Sequence, residues 1–196
     1  GTLAATGAVS GTTGTFTSTL GVTGAITGSS TVAGSTGILY PLTSGTAVAS
    51  TSGTSIDFTG IPSWVKRITV MLSGVSTNAT GKLRMQIGSG SVSTSGYISI
   101  ANYAGAATDA TSSTTGLVWE AAGATNELRY GTMTITLLTG TTWVSSGSGG
   151  FSQGASYYAV TSGGVSPALS GALDRVRITT DGADIFDAGS INILYE

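Results

Sequence analysis

The chain has no cysteine and no histidine. Those two absences exclude disulfides, thiolate zinc sites, Cys or His nucleophile chemistry and Ser-His-Asp triads. Charge is scarce too. Asp, Glu, Lys and Arg make up 8% of the 196 residues, against about 25% in typical soluble proteins. Seven Lys and Arg face nine Asp and Glu, for a net charge of −2. Nucleic acid is therefore not an expected partner, because a phosphate backbone calls for several clustered cations. No apolar run approaches the roughly 20 residues of a bilayer span, and no basic-then-apolar leader opens the chain, so membrane insertion is not expected either. What is abundant is small and polar. Glycine occurs 31 times, and nearly a third of the chain is Ser or Thr.

Two segments differ in texture. Residues 1–37 carry no charge and repeat loosely: Ala5 to Gly11 (ATGAVSG) returns as Val22 to Gly28 (VTGAITG). Single large apolar residues (Leu3, Val9, Phe16, Leu20, Val22, Ile26, Val32) stand between Gly-containing turns. A flexible linker is one reading of such a composition. Bulky apolar residues at recurring positions and β-branched Thr and Val favour extended strands instead. Ordering such a segment costs on the order of 40–70 kcal/mol of backbone entropy, and burying its few large side chains returns roughly 10–20 kcal/mol. It cannot fold alone, so the expectation is a short repetitive β-stalk, stabilised by stacking against other copies of the chain.

Residues 38–196 read as one β domain. Ile68, Val70 and Leu72 alternate with Arg67, Thr69 and Met71; Leu83, Met85 and Ile87 alternate with Lys82, Arg84 and Gln86. Val176 and Ile178 alternate with Arg175 and Arg177, and Ile191, Ile193 and Tyr195 share a face. A Thr-rich strand is expected at 128–138, and others at 46–58, 92–103, 116–120, 141–146 and 154–160. No window combines a helical period with caps. About ten strands without helical crossovers imply antiparallel pairing in a two-sheet β-sandwich, the jelly roll being the expected variant.

Two stretches carry a resemblance. Ser52 to Met71 (SGTSIDFTGIPSWVKRITVM), and the end of the chain, Leu173 to Thr180 (LDRVRITT) with Phe186 to Glu196 (FDAGSINILYE), resemble the tip domain of tailed-bacteriophage tail fibres. The Gly/Thr repeats at 6–28 look like phage fibre stalks. The resemblance covers a minority of the chain and leaves out 88–165. It implies an intertwined homotrimer at the distal end of a phage tail, attached to an upstream fibre or baseplate. Its jelly-roll-like head would recognise a host cell-surface receptor, a glycan by expectation, in the virion's extracellular setting. It implies no catalytic residue and no cofactor. The alternatives are a structural fibre or trimerisation module without receptor contact, and a glycan depolymerase.

Candidate contacts lie in the middle of the chain. Tyr103, Trp119, Trp143, Tyr157 and Tyr158 sit in or beside Gly/Ser-rich segments. An aromatic ring offers a flat face to the C–H face of a sugar, and neighbouring polar groups take its hydroxyls. Asn102, Asp109, Glu120, Asn126, Glu127 and Arg129 are available for that. The expected receptor-binding set is Asn102, Tyr103, Trp119, Glu120, Arg129, Trp143 and Tyr157, with core packing as the competing role for the aromatics. If 157–158 is strand, Tyr157 and Tyr158 point to opposite faces. Trp64, Phe186, Ile191 and Tyr195 read as packing residues. Asp181, Asp184 and Asp187 are the one acid cluster. Calcium or glycoside chemistry would need such oxygens, but Asp181-Gly182 is an ordinary turn signal, and Arg175 and Arg177 are expected to pair with these carboxylates. No metal is expected.

Overall fold

The computed structural model describes residues 32–34, 37–105, 107–121 and 123–196. The chain divides into two units, Gly1–Tyr40 and Pro41–Glu196. In the first, β1 (Val32–Gly34) and β2 (Gly37–Leu39) form an antiparallel pair. Of the stalk expected at 1–37, only residues 32–34 and 37 are described, and its repeats at 6–28 lie outside the described residues.

The second unit holds β3 (Thr43–Ser44), β4 (Val48–Ala49), β5 (Ser55–Thr59), β6 (Arg67–Thr77), β7 (Leu83–Ser89), β8 (Ser91–Val92) and β9 (Ile98–Gly105). Then come β10 (Thr108–Ser113), β11 (Leu117–Val118), β12 (Leu128–Thr139), β13 (Thr142–Gln153), β14 (Ser156–Val165), β15 (Arg175–Thr180) and β16 (Phe186–Tyr195). There is no helix among the described residues. A large sheet runs β10-β9-β14-β13-β12-β6-β16-β3, with β4 also on β16. A small sheet runs β11-β7-β15-β5, with β8 on β7. Every pairing is antiparallel.

The alternation in the sequence decides which faces meet. Ile68, Val70, Met133, Ile135, Ile191 and Ile193 of the large sheet join Leu83, Met85, Ile87, Val176 and Ile178 of the small one in a single apolar core. The all-β, antiparallel two-sheet expectation thus describes the fold. Phe186 and Ile191 are buried, and Trp64 packs on the core with its ring 6.0 Å from that of Tyr195.

Several strands differ from expectation: 92–103 is divided between β8 and β9, which lie in different sheets, and β13 runs to Gln153, beyond the expected 141–146. The segment 46–58 is broken into β4 and β5 by Ser50–Gly53, with Gly53 at φ 77°, where only glycine turns without strain. β10 is an addition. Its sequence, TDATSS, holds no large apolar residue, so periodicity gives no signal for it; it is an edge strand held by its ladder to β9.

Candidate functional site

The seven residues expected to meet a receptor do not converge. Trp119 is 1% exposed and lies between the sheets, against Gly131, Gly147 and Gly149. Trp143, on the inner face of β13, is buried as well. Neither indole presents a face to solvent, so neither can stack on a sugar. Tyr103 belongs to a half-buried aromatic group, its ring 5.4 Å from those of both Phe151 and Tyr158, which are themselves stacked at 4.7 Å. Tyr157, its neighbour in β14, points the other way and is 76% exposed.

Glu120 and Arg129 are interior too, with Glu127. The i, i+2 spacing of Glu127 and Arg129 turns both inward at the start of β12. Arg129 Nε donates to both Glu120 oxygens, at 2.9 and 2.8 Å, and Glu120 Oε1 also accepts the Leu83 N–H at 2.7 Å. Glu127 Oε2 accepts the Ala124 N–H at 2.7 Å and lies 3.5 Å from Arg129 Nη2. Two carboxylates therefore share one guanidinium out of reach of water. This is a structural ion cluster, not a receptor contact.

Burial pushes the Glu127 carboxyl up to about 7, the Glu120 charge adds to the rise, and Arg129 opposes it. Burial raises Glu120 in the same direction against the pull of Arg129. A carboxyl whose pKa is higher folded than unfolded contributes most below its unfolded value, and that contribution is lost as pH rises through the folded value. The chain is therefore expected to be more stable at about pH 5 than at about pH 8, by roughly 2 kcal/mol from this cluster. Glu127→Gln, which keeps an oxygen for the Ala124 N–H, should raise the urea midpoint at the higher pH and shrink the difference. Equal slopes for both proteins would remove Glu127 as the cause.

The Asp181–Asp187 turn is built by backbone contacts. Asp181 Oδ1 accepts the Lys82 N–H at 2.7 Å, and the buried Asp184 accepts the Gly81 N–H. Contrary to the expectation from sequence, Arg175 and Arg177 do not pair with this turn. They pair with Asp174 and Asp57, each at 2.7 Å, because the β15–β5 register sets Arg177 opposite Asp57. No group of three or more acids able to hold a metal occurs among the described residues.

Among the hollows open to solvent are a groove on the outer face of the large sheet, a polar cleft, and a pocket of about 270 Å³ between residues 45–48 and 57–61. On the outer face, Ile100, Asn102, Ala110, Thr161, Ser162 and Gly163 line a shallow groove of about 390 Å³. The ladders bring it together: Asn102 faces Ala110 on β10 and Thr161 on β14, and Ile100 faces Gly163. The Thr161 hydroxyl donates to Asn102 Oδ1. Ile98 and Ile100 are 73% and 60% exposed. Of the expected set, Asn102 alone lines this groove.

The cleft was not anticipated. Lys82, Arg84, Thr111 to Thr115, Val118 and Asp181 enclose about 220 Å³ where the chain crosses from the large sheet (β10) to the small one (β11). Lys82 and Arg84 read from sequence as a strand's solvent face. Their scarcity was the available signal, because they are two of only seven cations.

No family model, curated protein or solved structure matches the chain. No helix among the described residues is long and apolar enough to cross a membrane.

Proposed function

We propose that the chain is the distal part of a bacteriophage tail fibre. Its β domain, a jelly-roll-type head, holds a host cell-surface glycan for adsorption and does not cut it. The observation that carries this reading is the groove on the outer face of the large sheet. It sets the amide of Asn102 and the hydroxyl of Thr161 beside the exposed side chain of Ile100. A flat apolar centre with neutral hydrogen-bonding groups at its edge suits the C–H face and hydroxyls of a sugar. The non-catalytic part is supported by how the carboxylates are used. Glu120 and Glu127 are enclosed, Asp57 and Asp174 are held by arginines, and Asp181 and Asp184 accept backbone N–H groups.

The test is retention of the labelled full chain on arrayed bacterial surface polysaccharides and on whole bacteria. At least one glycan should retain it, and Ile100→Arg should reduce retention about tenfold or more, since it puts a charge and a bulky chain into the groove. If no polysaccharide or strain retains the chain, or if Ile100→Arg binds as well as the parent, the reading falls.

A second reading, a structural trimerisation module, is favoured by the same face. Ile98 and Ile100 stand exposed on a sheet surface where β9, β10 and β14 bring no outward charge. Light scattering of the full chain separates the two: a trimer that Ile98→Arg dissociates would make this face an interface between copies instead of a glycan groove.

A further inference from the structure

The polar cleft at the crossing between the sheets carries a site of its own. Of the five arginines, Arg67 pairs with Glu196, Arg129 with Glu120 and Glu127, Arg175 with Asp174, and Arg177 with Asp57. Arg84 is the one that makes no ion pair among the described residues. In a chain with nine acids this is a selective omission, because the other four guanidiniums each find a carboxylate.

Arg84 is fixed all the same. It stands on β7 between Thr179 of β15 and Val118 of β11. Its Nη1 donates to Thr115 Oγ1, and its Nε is shielded from water with no acceptor. Two residues on, Gln86 Nε2 donates to the Thr115 carbonyl at 2.7 Å. Ser113 Oγ accepts the Thr115 N–H at 3.2 Å. The wall formed by 113–115 is thus pinned to β7 at both its side chain and its backbone, with Arg84 held against it. Lys82, paired with Asp181 at 3.7 Å, closes the opposite side. Two cations against one carboxylate leave the cleft net positive within a protein of net charge −2.

We propose that this cleft binds a sugar bearing a carboxylate, such as a uronic acid unit of a surface polysaccharide. Arg84 takes the carboxylate, with Lys82 beside it, and the hydroxyls of Ser113, Thr114 and Thr115 take ring hydroxyls. With Nη1 on Thr115 and Nε shielded, Nη2 is the nitrogen left to meet a planar carboxylate. About 220 Å³ has room for one sugar unit and not for a long chain segment. The partly exposed setting makes each site weak, in the millimolar range, so tight attachment would need several copies acting together.

The test is a titration of the full-length, isotope-labelled chain with glucuronate, with glucose, acetate and inorganic phosphate as separate arms, read by NMR at the Arg84 side-chain N–H and the Thr115 amide. Glucuronate should shift both signals saturably, and glucose should not. Arg84→Gln should weaken binding about tenfold or more. Lys82→Gln, at a half-exposed position with no core contact, should weaken it less while leaving the Thr115 signal in place. Silence of both signals toward glucuronate overturns the site. Equal shifts from acetate or phosphate reduce it to a bare anion seat and overturn the sugar assignment, and equal binding of glucose overturns the role of Arg84. The cleft deepens the glycan reading proposed above, but the readout is local. Failure here leaves adsorption through the Ile100 groove standing, and failure of polysaccharide retention by that groove leaves glucuronate binding at Arg84 intact.

Discussion

Arg129→Met is expected to cost about 3–5 kcal/mol of folding stability at neutral pH, because it removes the cation from an enclosure that holds two carboxylates. Glu120 and Glu127 are out of reach of water, so neither can be solvated in place of its lost partner. Each must either stay charged at high cost or take up a proton. The second route is easier at low pH, so the deficit should shrink on acidification, in the same sense as the rise of Glu127 to about 7. The partner experiment is Glu120→Gln/Glu127→Gln/Arg129→Met. The two amides still accept the Leu83 and Ala124 N–H groups that the carboxylates accept now, and no net charge remains inside. That triple variant should recover most of the loss, since a neutral, well-packed replacement of a buried ion cluster is commonly neutral or stabilising. Urea unfolding of the full chain at two pH values reads both effects. If Arg129→Met were as stable as the parent at alkaline pH, the enclosure would be open to water.

This cluster also marks the boundary of what the sequence discloses. Alternation placed Ile68, Val70, Leu83, Met85, Ile87, Val176 and Ile178 correctly, because a half-buried strand must repeat every two residues to bury one face. The opposite faces of Tyr157 and Tyr158 follow from the same rule. It says nothing of a strand with no apolar residue, so β10 was invisible. It is also blind to a polar residue that turns inward, since Glu127 and Arg129 obey the period as faithfully as Ile and Val do. What sends them inside is a tertiary fact, the presence of Glu120 across the core. The groove was partly legible through Asn102, whereas the cleft was not. It forms only when residues 111–115 fold over β7, and that requires the crossing between the two sheets.

Trp119→Ala should destabilise the full chain by about 3–5 kcal/mol, as for other large aromatic-to-Ala changes in a core, and lower its melting temperature by roughly 10 °C. The argument comes from the glycines beneath the ring. Gly131 of β12 faces Gly149 of β13 directly in the ladder, and Gly147 lies two residues along the same inner face. A Cβ would come within 3.1 Å of the Trp119 indole at Gly131, 3.2 Å at Gly147 and 2.9 Å at Gly149. At Gly149 it would also strike the Tyr130 carbonyl oxygen, and Gly131 has φ 136°, which L side chains rarely adopt. Glycine within a strand is ordinarily a loss of about 0.5–1 kcal/mol relative to Ala, so three on one inner face need a reason, and the reason is a trough one indole deep. Gly147→Ala should therefore destabilise despite the gain in strand preference, and part of that penalty should vanish in the Trp119→Ala background. A coupling of about 1 kcal/mol between the two positions is the expected sign of direct contact. Strict additivity would mean that Trp119 does not rest on Gly147. Trp119→Phe should cost less than its volume suggests, because the buried indole N–H has no hydrogen-bond partner to lose. The same trough explains why a tryptophan in a Gly/Ser-rich stretch is no sugar platform: the glycines around it are space for the ring, not loop.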